Sequence, residues 1–201
     1  MKILQGQGVS KGIEKGTIYF YHRVSAVVEQ QMAQDPAAEH ARLEAARAQA
    51  MEQLEAMAEK ARAQAGDDAA ILFETHAMFL EDEAFTGAMD EQLDEGYTAV
   101  YAAQQAGEQF AAMLAAMDAP YMQARAADVR DVTGRLLNIL TGVAEGGINS
   151  EVPVILAADD LAPSETIQLD KSKILAIATQ GGSGNSHTAI LARTMGIPAV
   201  C

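Results

Sequence analysis

The sequence predicts an α/β (α+β) domain interrupted by an inserted helical bundle of four-helix type. Three observations carry that expectation. Short β-like pieces set among glycines fill the first two dozen residues; a block of Ala, Glu, Gln, Met and Arg, poor in glycine, runs from about Ala33 to about Gly142; and apolar, strand-like segments return after Gly146-Gly147. Strand-like pieces on both sides of a helical block are most economically one α/β domain at 1–25 and 144–201, cut short at its C-terminal end, with a helical domain at 33–142 inserted into it.

Taken in order, residues 2–5 and 17–21 read as strands punctuated by Gly6, Gly8, Gly12 and Gly16. Asp35-Pro36 opens a first helix, because proline is well accommodated at the first helical position. Along it Leu43, Ala46, Ala50, Leu54, Met57 and Ala61 recur at three- and four-residue spacings, the mark of one buried face. Gly66-Asp67-Asp68 ends it. A second helix is predicted from Asp68, a good cap, through Ile71, Leu72, Phe79 and Leu80 to about Leu93, with Gly87 in its middle. A third spans 98–117 and a fourth 121–141, separated by Asp118-Ala119-Pro120. Short breaks between helices predict antiparallel neighbours. Beyond Gly146-Gly147, strands are expected at 153–157, 174–178 and 198–200, with a short helix or turn at 164–168.

Composition narrows the class. At 201 residues and 49% hydrophobic content the chain has ample material for a core, so it is read as globular. Its net charge of −14 opposes a non-specific nucleic-acid binder or a protein of anionic membrane surfaces, both of which need excess positive charge. A basic protein partner suits that charge, and so does plain solubility. The one cysteine, Cys201, permits neither an intramolecular disulfide nor a cysteine metal site, which fits a reducing, cytoplasmic setting. No long apolar segment is free of charge and the first residues lack the apolar core of a signal peptide, so neither membrane insertion nor secretion is expected.

The chemistry concentrates at Gly181-Gly182-Ser183-Gly184-Asn185-Ser186-His187-Thr188, where an apolar run leads into a glycine-rich turn that delivers His187 to the first turn of a helix. Imidazole can act as a covalent nucleophile and is substantially neutral at cellular pH. Unpaired N–H groups and the positive dipole end of a helix suit a phosphate-like anion and disfavour imidazolium. Glycines let backbone approach such an anion closely. The stretch suits a phosphoryl carrier; on pattern alone, a glycine turn that serves only strand-to-helix packing is the competing reading.

Ser186-His187-Thr188-Ala189-Ile190-Leu191-Ala192-Arg193, followed by Gly-Ile-Pro-Ala-Val, resembles the phosphohistidine signature of the phosphoenolpyruvate-utilising enzymes. Within that group, Gly8-Val9-Ser10-Lys11-Gly12, the run Ile71-Leu72-Phe73-Glu74-Thr75-His76-Ala77-Met78-Phe79-Leu80-Glu81-Asp82-Glu83, Ala126-Ala127-Asp128-Val129-Arg130-Asp131 and Leu161-Ala162-Pro163-Ser164-Glu165-Thr166 resemble the enzyme I family of the bacterial sugar phosphotransferase system. The match covers the whole chain in order.

That resemblance implies a swivelling phosphohistidine domain interrupted by a helical domain that docks the small phosphocarrier HPr. It implies that phosphoenolpyruvate phosphorylates His187, on Nε2, and that the group passes to a histidine of HPr. Thr166 would hydrogen-bond the other ring nitrogen, and Gly182, Ser183, Gly184, Asn185, Ser186 and Thr188 would form the phosphate loop. Asp67, Asp68, His76, Met78, Phe79, Asp82 and Glu83, with Tyr121 and Arg125, would form the docking surface; a generic helix would instead carry a solvated acidic face there. Phosphoenolpyruvate and Mg²⁺ would bind a C-terminal barrel outside these residues, so no cofactor is expected here, and the full-length enzyme would be a homodimer.

One departure stands out: the family's Gly-Gly-Arg-Thr-Ser-His is Gly182-Ser183-Gly184-Asn185-Ser186-His187 here, with Asn185 expected to cap as threonine does. Arg193 lies about 120° around the helix from His187 at 3.6 residues per turn, which predicts a structural or interdomain contact rather than a phosphate ligand. Two alternatives stay open. A nitrogen-regulatory relative or a pyruvate phosphate dikinase-like enzyme keeps the chemistry with other partners, although the dikinases lack such an inserted bundle. A non-catalytic module would use the acidic bundle only to bind a basic protein.

Overall fold

A computed structural model describes residues 5–23, 26–144, 148, 150–182, 184 and 186–201. They form two compact units: Met1–Arg23, Glu59–Ala70 and Gly146–Cys201 make one, Val24–Ala58 and Ile71–Glu145 the other. The stretch 59–70, which the sequence places in the helical block, thus belongs to the unit that carries the sheet.

That unit is built on a five-stranded mixed sheet in the order β1-β5-β4-β3-β2, from β1 (Gly8–Ser10), β2 (Thr17–Phe20), β3 (Val154–Ala158), β4 (Ile174–Thr179) and β5 (Ala199–Val200). β2, β3, β4 and β5 run parallel in turn, and β1 closes on β5 antiparallel. The predicted strand at 2–5 falls largely outside the described residues. Gly8-Val9-Ser10, outside the strands expected from the sequence, is a strand because residues 199–201 supply its partner: Gln7 and Cys201 exchange backbone hydrogen bonds of 2.6 and 3.0 Å. β2 and β3, neighbours in the sheet, flank the helical block in sequence. Val154, Leu156, Ile174 and Ile177 of β3 and β4 are buried with Ile167 and Leu191, and these apolar side chains form the core of the unit.

The helical block holds five helices rather than the predicted four. α1 (Pro36–Ala65) starts where Asp35 Oδ1 accepts from Ala38 N at 3.2 Å, and it stops at Gly66, whose φ of +89° suits glycine. All six residues of its predicted stripe are buried. The single second helix expected to Leu93 is two, α2 (Asp67–Glu81) and α3 (Glu83–Asp94). Asp82 makes the break: it sits in extended conformation with Oδ1 accepting from Ala84 N and Phe85 N at 2.9 and 3.0 Å, so it caps α3 instead of continuing α2. From α1, Arg47 donates through Nε and Nη2 to the Leu80 carbonyl at 3.2 and 2.6 Å, which supplies the partner that carbonyl loses at the break.

α4 (Ala99–Ala115) is capped by Thr98, and α5 (Pro120–Thr141) ends at left-handed Gly142. Among the small buried residues of α4 (Ala99, Ala102, Ala103, Ala106), Gly107 gives way to Thr133 of α5. Phe73, Leu80, Phe85, Met89, Leu93, Val129 and Leu136 complete the buried core of this unit.

Candidate functional site

The loop that carries His187 is shaped by the end of β4. Gln180 N donates to Ala158 O at 3.0 Å and Gly181 N to Asp159 O at 2.7 Å, so the chain leaves β4 along the end of β3. Thr179 Oγ1 donates to Gly181 O at 2.7 Å, and Gly182 follows with φ +103°, a conformation that side-chain-bearing residues rarely adopt. Gly184 is different: a Cβ there would meet nothing nearer than Gln7 Nε2 at 3.6 Å, so space does not require glycine. Ser183 and Asn185 lie outside the described residues.

α7 (His187–Met195) begins at His187 itself. Its N-cap is Ser186, extended, with Oγ accepting from Ala189 N at 3.2 Å; the capping expected of Asn185 belongs one residue later, where the hydroxyl reaches the third amide of the helix. Thr188, next in line, is buried and donates to Leu161 O at 2.7 Å. Thr166 is fully buried on α6 (Pro163–Gln168), donates to Ala162 O at 3.0 Å, and lies with Oγ1 3.5 Å from Thr188 Oγ1. The structure therefore brings Thr166 together with the residue beside His187, at the junction of α6 and α7.

Two long-range contacts of this site were not placed by the sequence. Arg193 donates from Nη1 to Gly184 O at 2.8 Å and to Val9 O at 3.2 Å, latching the loop to β1. It is thus the structural contact expected of it, but aimed at the loop. Glu165 is the second. Arg23 holds it bidentately, Nε to Oε1 at 2.8 Å and Nη2 to Oε2 at 2.6 Å, while Tyr21 Oη donates to Oε1 at 2.9 Å and Ala162 N to Oε2 at 2.6 Å. One carboxylate so ties the end of β2 to the start of α6. Pro-Ser-Glu-Thr pointed to Thr166, yet nothing local in the sequence pairs Glu165 with residues near position 22.

Burial pushes the Glu165 carboxyl upward, but the Arg23 guanidinium, the Ala162 amide and the Tyr21 hydroxyl together bring it below the ordinary 4.5. A depressed carboxylate contributes stability that is fully present above its unfolded value and disappears as pH falls through its folded value. Glu165→Gln is therefore expected to lower the melting temperature at pH 7, with the gap to the parent closing below about pH 4.5; thermal unfolding from pH 7 to 3 measures it, and a gap independent of pH contradicts the assignment.

Of the expected docking residues, Asp67 and Asp68 open α2 in the unit with the sheet, both exposed, with Asp67 Oδ1 accepting from Arg62 Nε at 3.2 Å. The rest belong to the helical unit. Met78 and Tyr121 are 66% and 68% exposed, Phe79 is half-buried, and the Arg125 guanidinium lies 5.3 Å from the Phe79 ring centroid and 5.4 Å from that of Tyr121. Asp82 and Glu83 are exposed at the start of α3, Asp82 engaged in its cap.

His76 is corrected. It is fully buried, because it shares the inward face of α2 with Phe73 and Leu80 at helical spacing, and so cannot touch a partner. Its Nε2 faces Asp128 Oδ1 at 3.5 Å and its Nδ1 faces Asp131 Oδ2 at 3.9 Å, with Phe73 packed edge-on at 5.8 Å.

Among the described residues no group of three or more His, Cys, Asp or Glu side chains could hold a metal ion. No helix of the described residues is long and apolar enough to cross a membrane.

A glycine turn that presents a histidine at a helix start, on a small mixed sheet interrupted by helices, agrees with the family comparison. The chain belongs to the phosphoenolpyruvate-utilising enzymes: the profile of the PEP-utilising enzyme, N-terminal, matches residues 5–125, and that of the PEP-utilising enzyme, mobile domain, matches 150–201.

Its relatives are transferases. The phosphoenolpyruvate-protein phosphotransferase of Geobacillus stearothermophilus is 39% identical over 203 residues, covering 99% of this chain and 35% of the relative; that of Bacillus subtilis (strain 168) is 36% identical over 204 residues, covering 100% and 35%. The chain thus spans about a third of the length of the curated relatives it matches. An NMR solution structure of Enzyme I (nEIt) shares the fold with a TM-score of 0.78 and 31% identity, covering 98% of this chain and 81% of that one. The N-terminal domain of Enzyme 1 - Nitrogen gives 0.70 and 26%, covering 97% and 81%.

Proposed function

We propose that this chain is the phosphohistidine and docking portion of an enzyme I of the sugar phosphotransferase system, acting in the cytoplasm. A ring nitrogen of His187 receives a phosphoryl group and hands it to a histidine of HPr. The supporting observation is His187 as the first residue of α7, behind the left-handed turn at Gly182 and beside the buried pair Thr166 and Thr188. Residues 1–25 and 144–201 make the phosphohistidine domain in this reading, and 33–142 the inserted docking domain.

The transfer is a displacement at phosphorus. In the exchange with HPr, a lone pair on a His187 ring nitrogen forms an N–P bond while the N–P bond to the carrier's histidine breaks, and the reverse step restores both. From phosphoenolpyruvate the bond broken is the ester O–P bond, with the enolate of pyruvate as leaving group; that half-reaction belongs to the homodimeric full-length enzyme, whose further domain binds phosphoenolpyruvate and Mg²⁺. The residues here position and stabilise. The amide groups at the start of α7 face developing negative charge, Arg193 holds the Gly184 carbonyl still, and Thr166 sets the orientation of the imidazole.

For docking, exposed Met78 and Tyr121 offer apolar contact, Arg125 offers N–H donors, and Asp82 and Glu83 of the same unit supply acidic groups that attract a basic carrier surface. The test is incubation of the chain with phosphorylated HPr, followed by detection of a phosphohistidine peptide containing residue 187. Labelling is expected, and a folded chain that stays unlabelled overturns the proposal.

A further inference from the structure

We infer that Asp128, backed by His76, is a buried positioning residue for partner recognition, holding Arg125 in the orientation that docking uses; the inference rests on the docking surface proposed above. Asp128 is 2% exposed, and burying a carboxylate is costly unless opposite charge or hydrogen bonds face it. Its two oxygens look in different directions. Oδ1 faces His76 Nε2 at 3.5 Å in the core, and Oδ2 faces Arg125 Nη1 at 3.6 Å near the surface. Asp131, with Oδ2 3.9 Å from His76 Nδ1, closes the inner side of the group.

Arg125 is the outward end of this line of polar side chains. One nitrogen lies at ion-pair distance, 3.6 Å, from Asp128, while the Phe79 and Tyr121 rings lie 5.3 and 5.4 Å from its guanidinium carbon, so an anion and two rings together restrain the guanidinium. Its side chain keeps 24% exposure, beside exposed Tyr121 and on the same unit as exposed Met78. The donors not aimed at Asp128 are available to a carbonyl or carboxylate oxygen of a docked protein. A long, flexible arginine normally loses much freedom on binding; restrained in advance, it loses less. This gives Ala126-Ala127-Asp128-Val129-Arg130-Asp131 and His76 a task in recognition without contact, since all of the effect passes through Arg125.

A double-mutant cycle separates this from a plain core role. HPr is titrated into the 201-residue chain, Arg125→Gln, Asp128→Asn and the double variant, with thermal unfolding recorded for each. Asp128→Asn is expected to weaken HPr binding roughly fivefold to tenfold, the loss that one un-restrained side chain represents, and to add nothing in the Arg125→Gln background. Full binding by Asp128→Asn, or a double variant weakened by the product of the two single effects, overturns the inference while leaving the docking surface standing. Unchanged binding by Arg125→Gln overturns both. Should Asp128→Asn fail to fold, the parent chain still decides: an Arg125 Nε–H order parameter near that of rigid backbone, about 0.8, is expected, and a value below about 0.6 shows a mobile guanidinium and overturns it.

Discussion

His187→Ala is expected to abolish phosphoryl uptake from phosphorylated HPr, because alanine leaves no nucleophilic atom at the start of α7 and the described site offers no second histidine. The loss should be complete to the limit of phosphohistidine detection rather than partial, since removing the atom that bonds phosphorus differs from removing a stabilising contact. The fold should hardly notice. Residue 187 is only half-buried, Ser186 remains to cap the helix, and alanine is a favourable helical residue. HPr binding should persist, because the residues proposed for docking include none in α7. Uptake that survives in the variant would move the acceptor elsewhere in the chain; binding and uptake lost together, in a folded protein, would mean that His187 is part of the docking surface.

Gly107→Ala is expected to destabilise the helical unit against its own helix propensity. In an exposed helix that change would stabilise by about 1 kcal/mol. Here a Cβ would lie 2.3 Å from Thr133 Oγ1, 2.4 Å from its Cγ2 and 2.8 Å from its Cβ. A rotamer change moves the first two atoms but not the third, which is fixed to the backbone of α5, so the helices must separate. Overpacking of this kind costs about 1–3 kcal/mol, and the present contact belongs at the upper end. At this chain length that corresponds to a melting temperature lower by roughly 6–12 °C. Thr133→Ala should recover only part of the loss, because it removes Oγ1 and Cγ2 but keeps the Cβ, and by itself should cost little, since the buried Oγ1 has no hydrogen-bond partner among the described residues. A Gly107→Ala chain that melts higher than the parent would show that α4 and α5 are not packed this closely.

The helical block was largely legible because helices announce themselves locally. Asp35-Pro36 and the stripe from Leu43 to Ala61 are signals within a few residues of what they determine. The break at Asp82 was not, for no glycine or proline marks it. An aspartate can cap a helix or decorate its surface, and what favours the cap here includes Arg47, 33 residues earlier, satisfying the Leu80 carbonyl. His76 was misplaced because the family resemblance set it among the docking residues, whereas spacing with Phe73 and Leu80 on the same turn-to-turn line put it in the core. Spacing was the better guide.

From its own residues the chain specifies the alternation of strand and helix, the left-handed turn at Gly182, the helix that starts at His187 and the family to which these belong. Each rests on backbone preference or short-range capping, which neighbours in the chain decide. The tertiary structure alone decides that Gly8–Ser10 pairs with Ala199–Val200, that Arg23 and Tyr21 hold Glu165 across more than 140 residues, and that Arg193 reaches back 184 residues to Val9 while bracing the loop of His187. The reason is physical: a carboxylate or guanidinium can pair with any of dozens of partners in the unfolded chain, and only packing of the sheet and helices brings one of them within hydrogen-bond distance.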